Sequence, residues 1–234
     1  MSWGRRDWPW LGGLAIVAVV VRSMPLLLGG GIGFIGRYDD GVYYSAADAL
    51  SFGRVPYRQF LLLHPPGIML VLLPFAALGR VTTDMAGMET ARIAFMVLGA
   101  VNTVLVALIA RRWGRPAMVV AGLMYACWLP AVYAEQSTFL EPVGGFLVLV
   151  ALLRLVNRAS PPSVRAELVA GMCLGLATAV KIWYVVPWAV IVAWQLLSRH
   201  PKGASRLLMS GVAALAAVVT PFAILAGNRM EQMV

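Results

Sequence analysis

Seven apolar runs separated by short basic clusters decide what this chain can become. They lie at roughly 11–29, 66–79, 91–110, 117–134, 139–156, 168–197 and 207–226. A membrane-crossing helix needs about 20 largely apolar residues, and a run of about 10–14 is more often interfacial or re-entrant. Charged residues make up 12% of the chain, against roughly 25% in soluble domains. Too few polar side chains remain to cover a soluble surface, so lipid is the solvent this composition fits. The expected fold class is all-α, a polytopic transmembrane helical bundle forming a single module over residues 1–234. A net charge of +9 would suggest nucleic acid in a soluble protein. Here the charge sits between apolar runs, which points to membrane topology and not to a nucleic-acid partner.

The basic clusters are Arg5/Arg6, Arg111/Arg112/Arg115, Arg154/Arg158/Arg165 and Arg199/Lys202/Arg206. The positive-inside rule wants all of them cytoplasmic. An even number of crossings must then separate each pair. Between the first two clusters 11–29 and 91–110 cross, so 66–79 does not. Between the last two, 168–197 crosses twice and turns near Lys181–Tyr184. About seven spans result, with the N-terminus cytoplasmic and the C-terminus extracytoplasmic. Asp39, Asp40, Asp48, Asp84, Glu89, Glu135, Glu141 and Glu231 then fall outside, and this clustering of acids suggests a use. Trp8, Trp10, Trp113, Trp128, Tyr133, Trp183 and Trp194 fall near the interfaces, as an aromatic belt would. Arg22, in the outer part of the first span, is expected to snorkel. Cys127 and Cys173 read as core thiols. Arginine dominates over lysine, with abundant Ala, Gly and Val, which suggests a high-GC bacterium and hence its cell membrane.

The first external loop, 30–90, holds two further helices. Asp40 can cap the first and Gly53 can close it. Val42, Ala46, Ala49 and Leu50 share one face at helical spacing, so this helix is expected to lie on the outer membrane surface. Tyr43 and Tyr44 read as interface anchors. His64-Pro65-Pro66-Gly67 breaks the chain, and a second, more apolar interfacial helix runs to Gly79. The second external loop, 135–141, is short, and Pro142 suits the first position of the helix after it. The chain has no Walker A loop, GxGxxG, HExxH or Ser/His/Asp signature, and no metal-ligand spacing.

The stretch Arg37–Gly67, RYDDGVYYSAADALSFGRVPYRQFLLLHPPG, resembles the first external loop of the GT-C glycosyltransferases. More narrowly, it looks like bacterial members near the protein O-mannosyltransferase and lipid A aminoarabinose transferase group. ARIAFMVLGAVNTVLVALIARRWGR, FLEPVGGFLVLVALL and LGLATAVKIW resemble the family's second span, its second-loop acid with fourth span, and its Lys-containing turn. The resemblance implies transfer of a mannose- or arabinose-like sugar from a polyprenyl-phosphate donor to an extracytoplasmic acceptor, with inversion. It implies Asp39 as catalytic base, Asp40 as its neighbour and Glu141 as supporting carboxylate. It places Lys181, His64 and Arg58 near the donor phosphate, His64 standing where some relatives carry Lys. No cofactor is required, and a divalent cation is compatible.

Such chemistry needs a base for the acceptor hydroxyl and cations for the charge growing on the departing phosphate. Each residue has a plainer role beside this one: capping for Asp40 and Glu141, snorkelling for Lys181, lipid headgroup contact for Arg58, a loop position for His64. Family members usually continue with more spans, so the chain reads as lacking the C-terminal part. That gives a second reading, a truncated or non-catalytic subunit whose missing spans come from a second polypeptide. A transporter would place ionisable groups near mid-membrane, whereas most acids here are assigned to external loops.

Overall fold

The computed structural model describes residues 7–29, 31–33, 38–156 and 162–229. Arg5, Arg6, Arg37, Arg158 and Glu231 of the sequence reading lie outside them. Among the described residues ten α-helices follow in order: α1 (Trp8–Leu28), α2 (Tyr38–Ser51), α3 (Gly67–Val81), α4 (Asp84–Ala110), α5 (Arg115–Cys127), α6 (Leu129–Glu135), α7 (Leu140–Val156), α8 (Val164–Val180), α9 (Val185–Leu197) and α10 (Pro201–Ala226). One 3-10 turn, Ile182–Tyr184, joins α8 to α9, where charge parity requires the chain to reverse.

α4, with the 3-10 turn that extends it to Trp113, and α10 are long and apolar enough to cross a membrane. α5 and α6 reach that length and apolarity only together, bent by 60° at their break. That run reads as continuous in sequence, and Pro130 is the reason it is not. Proline has no N–H for the carbonyl four residues back, so the helical ladder fails at Ala126. The chain turns out at Trp128, with φ −71° and ψ 110°. α4 starts at Asp84, ahead of its apolar run, because Thr83 caps it by accepting from Ala86 N–H at 3.2 Å.

Charged contacts sort the helix ends into two groups. Asp7, before α1, accepts from Arg111 Nε at 3.0 Å and Arg115 Nε at 3.1 Å, at the α4–α5 junction. Arg112 donates to the Val156 carbonyl at the end of α7. Arg206 near the start of α10 pairs with Glu167 near the start of α8 at 3.0 Å. These ends form a basic face. The opposite ends carry Glu141, Lys181, α2 and the approach to α3, and their core joins Tyr43, Tyr57, Ile68, Leu140, Val180 and Phe222. α3 begins against the Ala179 backbone at the end of α8, and its Gly79 lies beside the Tyr44 hydroxyl and Asp84 at the start of α4. Both of its ends therefore meet elements of that second face.

Several expectations need correction. Asp40 is not the cap of α2: the helix starts at Tyr38 and the Asp40 side chain is buried. The face of α2 against the bundle carries Tyr43, Tyr44 and Ala47, while Val42 is exposed, so the two tyrosines are core residues and not interface anchors. Pro142 is the third residue of α7, not the first. Cys127 is exposed and Cys173 half-buried. Gly53 does close α2, with φ 77°, as Gly53 N–H donates to Leu50 and Arg54 N–H to Ala49. The seven belt residues are all exposed.

Candidate functional site

Four pieces of chain bring Asp39, His64, Glu141 and Lys181 into one electrostatic neighbourhood. Asp39 is exposed on the first turn of α2. Glu141 is exposed on the first turn of α7. Lys181 follows α8 in extended conformation, φ −146° and ψ 123°, and so leaves the helix axis. Its Nζ pairs with Glu141 Oε1 at 2.5 Å.

His64 is half-buried in the connection from α2 to α3. Burial, and next the Lys181 ammonium, hold its imidazole below the usual range, while Asp39 and Glu141 pull the other way. At neutral pH the ring is therefore neutral. It meets the Tyr43 ring edge-on at 5.6 Å between centroids. Burial, Asp39 and Glu141 push the Tyr43 hydroxyl up to about 12, so it stays protonated. Tyr57 fixes the segment. Its side chain is buried, its φ is 61°, and its hydroxyl donates to the His64 carbonyl at 2.6 Å. A left-handed tyrosine costs of order 1–3 kcal/mol and persists only where its surroundings impose it. Arg58, the next residue, is exposed on this turn.

Asp39 and Asp40 differ sharply. Asp40 accepts from Arg92 Nε at 2.9 Å and again from Arg92 Nη2. Its other oxygen accepts from the Thr138 N–H at 2.9 Å and from the Thr138 hydroxyl. Asp40 thus ties α2 to α4 and to the turn between α6 and α7. Its neighbour Asp39 is exposed and acts electrostatically on Tyr43 and His64.

Tyr184 was not singled out in the sequence. Its hydroxyl donates to the Glu141 carbonyl at 3.2 Å. The ring lies where a Cβ on Gly144 would come within 2.0 Å of it, so α7 needs glycine there. A cavity of about 390 Å³ opens beside this pair. Glu141, Tyr184 and Glu135 are at its polar parts, with Trp128, Val148, Leu149 and Pro187 among its apolar walls. Among the described residues, no group of three His, Cys, Asp or Glu side chains could hold a metal ion.

Arg22 and Glu135 are the largest departure from expectation. Arg22 does not snorkel: it is buried in the bundle and donates from Nε to Glu135 Oε2 at 2.7 Å. Glu135 is likewise drawn inside, out of the second external loop. A charged residue within an apolar run was the available signal. Its partner, 113 positions away, had none.

The helical bundle gathers carboxylates and a lysine at one end, where Glu141 borders an apolar cavity. Its fold is similar to that of the S. cerevisiae protein O-mannosyltransferase Pmt1-Pmt2 complex bound to the sugar donor, with TM-score 0.70, 18% identity, and coverage of 98% of this chain and 35% of that one. It is also similar to ArnT from Cupriavidus metallidurans bound to undecaprenyl phosphate, with TM-score 0.67, 19% identity, and coverage of 96% and 42%. The chain thus spans well under half the length of either. Comparison with curated proteins finds no match. The model of glycosyltransferase family 87 matches residues 62–232, and the chain belongs to that family.

Proposed function

We propose that this chain is a membrane glycosyltransferase that moves a mannose- or arabinose-like sugar from a polyprenyl-phosphate donor to an extracytoplasmic acceptor, inverting the anomeric centre. The observation that carries the reading is the Lys181–Glu141 pair, in electrostatic reach of His64 together with Asp39, with Glu141 lining an apolar cavity. ArnT was solved with undecaprenyl phosphate and Pmt1-Pmt2 with its sugar donor, and family membership supports sugar transfer. The lipid tail would take the apolar walls, with its phosphate near Lys181.

In this reading the acceptor oxygen attacks the anomeric carbon as Asp39 takes its proton. The bond from that carbon to the phosphate oxygen breaks, and polyprenyl phosphate leaves with the electron pair. Lys181 meets the growing charge. In the absence of donor it pairs with Glu141, so an arriving phosphate competes for an ammonium already in place. Neutral His64 can donate one N–H without repelling Lys181. Arg58 offers a second cation to the headgroup region, and Asp40 holds the helix that carries Asp39.

The chain is proposed to cross a bacterial cell membrane seven times, with the basic face cytoplasmic. In a chain lacking Cys127 and Cys173, a cysteine at Arg58 should react with an impermeant maleimide from outside. One at Lys202 should react only after permeabilisation. The reverse pattern overturns the orientation.

Membranes carrying the chain should transfer radiolabel from a polyprenyl-phosphate sugar to an extracytoplasmic product of inverted linkage. Transfer with retention contradicts the mechanism. A second reading has another polypeptide complete the enzyme. Transfer only on co-expression of that polypeptide selects it.

A further inference from the structure

Arg22 takes no part in the chemistry above, yet its side chain is buried with four recorded hydrogen bonds. One repairs a broken helix. The Ala126 carbonyl would normally accept from the residue four positions on, which is Pro130 and has no N–H. Arg22 Nη1 donates to that carbonyl at 3.2 Å and to Ala18 at 3.0 Å. Nε and Nη2 reach Glu135 Oε2. One guanidinium therefore binds both sides of the α5–α6 break.

Glu135 carries the link onward. Its Oε1 accepts from Asn102 Nδ2 at 2.8 Å and from the Tyr125 hydroxyl at 2.9 Å. Asn102 Nδ2 also donates to the Pro142 carbonyl at 3.1 Å, next to Glu141. Thr138, three residues after Glu135, holds Asp40 beside Asp39. At Gly99 of α4, a Cβ would lie 2.4 Å from Arg22 Nε and 2.6 Å from Glu135 Oε2. The helix is bare where the ion pair crosses it.

We propose that Arg22 and Glu135 are positioning residues, which set the α5–α6–α7 junction and through it the placement of Glu141 and Asp39. This rests on the glycosyltransferase reading. Glu135 also borders the cavity, so direct contact with ligand is the competing role. Loss of placement lowers turnover with substrate affinity kept, whereas loss of a ligand contact made equally in ground and transition states raises KM.

The test uses the whole chain in detergent, with radiolabelled polyprenyl-phosphate mannose as donor. Arg22→Gln and Glu135→Gln should each lower kcat at least tenfold with donor KM within threefold of the parent. Arg22→Lys keeps the charge but loses the planar fork. It should recover at least threefold over Arg22→Gln, and it keeps the test usable if a glutamine variant does not fold. A kcat within twofold of the parent in a folded glutamine variant, a rise in KM alone, or no recovery by lysine overturns the proposal. Spin labels on cysteines at the exposed Tyr133 and Trp183, with Cys127 and Cys173 replaced by serine, read the junction without turnover. The variants should broaden the distance distribution of the parent, and an unchanged distribution overturns positioning. If the parent transfers no sugar with any polyprenyl-phosphate sugar, the glycosyltransferase reading fails while the spin-label distances still decide the geometry.

Discussion

Lys181–Glu141 and Arg22–Glu135 are both lysine- or arginine-to-glutamate pairs, yet they sit at opposite extremes of burial. The side chains of the first are 25% and 50% exposed. Those of the second are 0% and 2% exposed. Arg92–Asp40 resembles the second, at 6% and 0%. Two buried ions cannot be separated cheaply, because each left alone bears its full desolvation penalty. Such a pair fixes geometry. The exposed pair contributes little to stability, so an arriving anion can exchange for one partner. Burial thus separates these framework pairs from the exposed pair of the proposed site.

Removing one partner of a framework pair should do the most harm. Arg92→Ala leaves Asp40 charged and buried and should lose about 3–5 kcal/mol of stability, read as a lowered unfolding midpoint in detergent. Lys181→Ala should reverse the pattern. Sugar transfer should fall by about 100-fold or more, while stability changes by under about 1 kcal/mol. Equal thermal loss in both variants would erase the distinction between the pairs. Tyr57→Phe removes only the hydrogen bond to the His64 carbonyl and should cost about 0.5–1.5 kcal/mol, with a several-fold drop in transfer.

The smallest effect is one of pH. The folded His64 binds its proton below the ordinary value of 6.5. As pH falls through 6.5 the unfolded chain takes up that proton first, so stability declines from there down to the lower folded value. His64→Asn should flatten this part of a stability-against-pH curve. An unchanged slope would remove His64 from the charged group.

Much of the proposed working end was legible from sequence. Charge parity alone put a turn at Lys181–Tyr184, and the structure has a 3-10 turn at Ile182–Tyr184. Asp39, His64, Glu141 and Lys181 were named from motifs, and the fold brings them together. The framework was less visible. Asp39 and Asp40 are the same residue type in adjacent positions. Only the angle of α2 and the distant Arg92 decide which is buried. Arg22 read as a snorkelling cation because its preference depends on a partner from a loop assigned to the outside. Pro130 marked a bend in plain view, but the apolar residues on both sides made the run look continuous. Local signals carried the exposed group around Lys181, and long-range pairing carried the buried pairs.

Asp39→Asn, assayed for sugar transfer and for unfolding on the same preparation, tests the division most directly. The substitution removes a base and leaves the buried pairs untouched. Transfer should fall at least about 100-fold, with donor binding retained and the unfolding midpoint within the error of the parent. Transfer that survives the substitution, or that falls only in step with the folded fraction, would contradict the account.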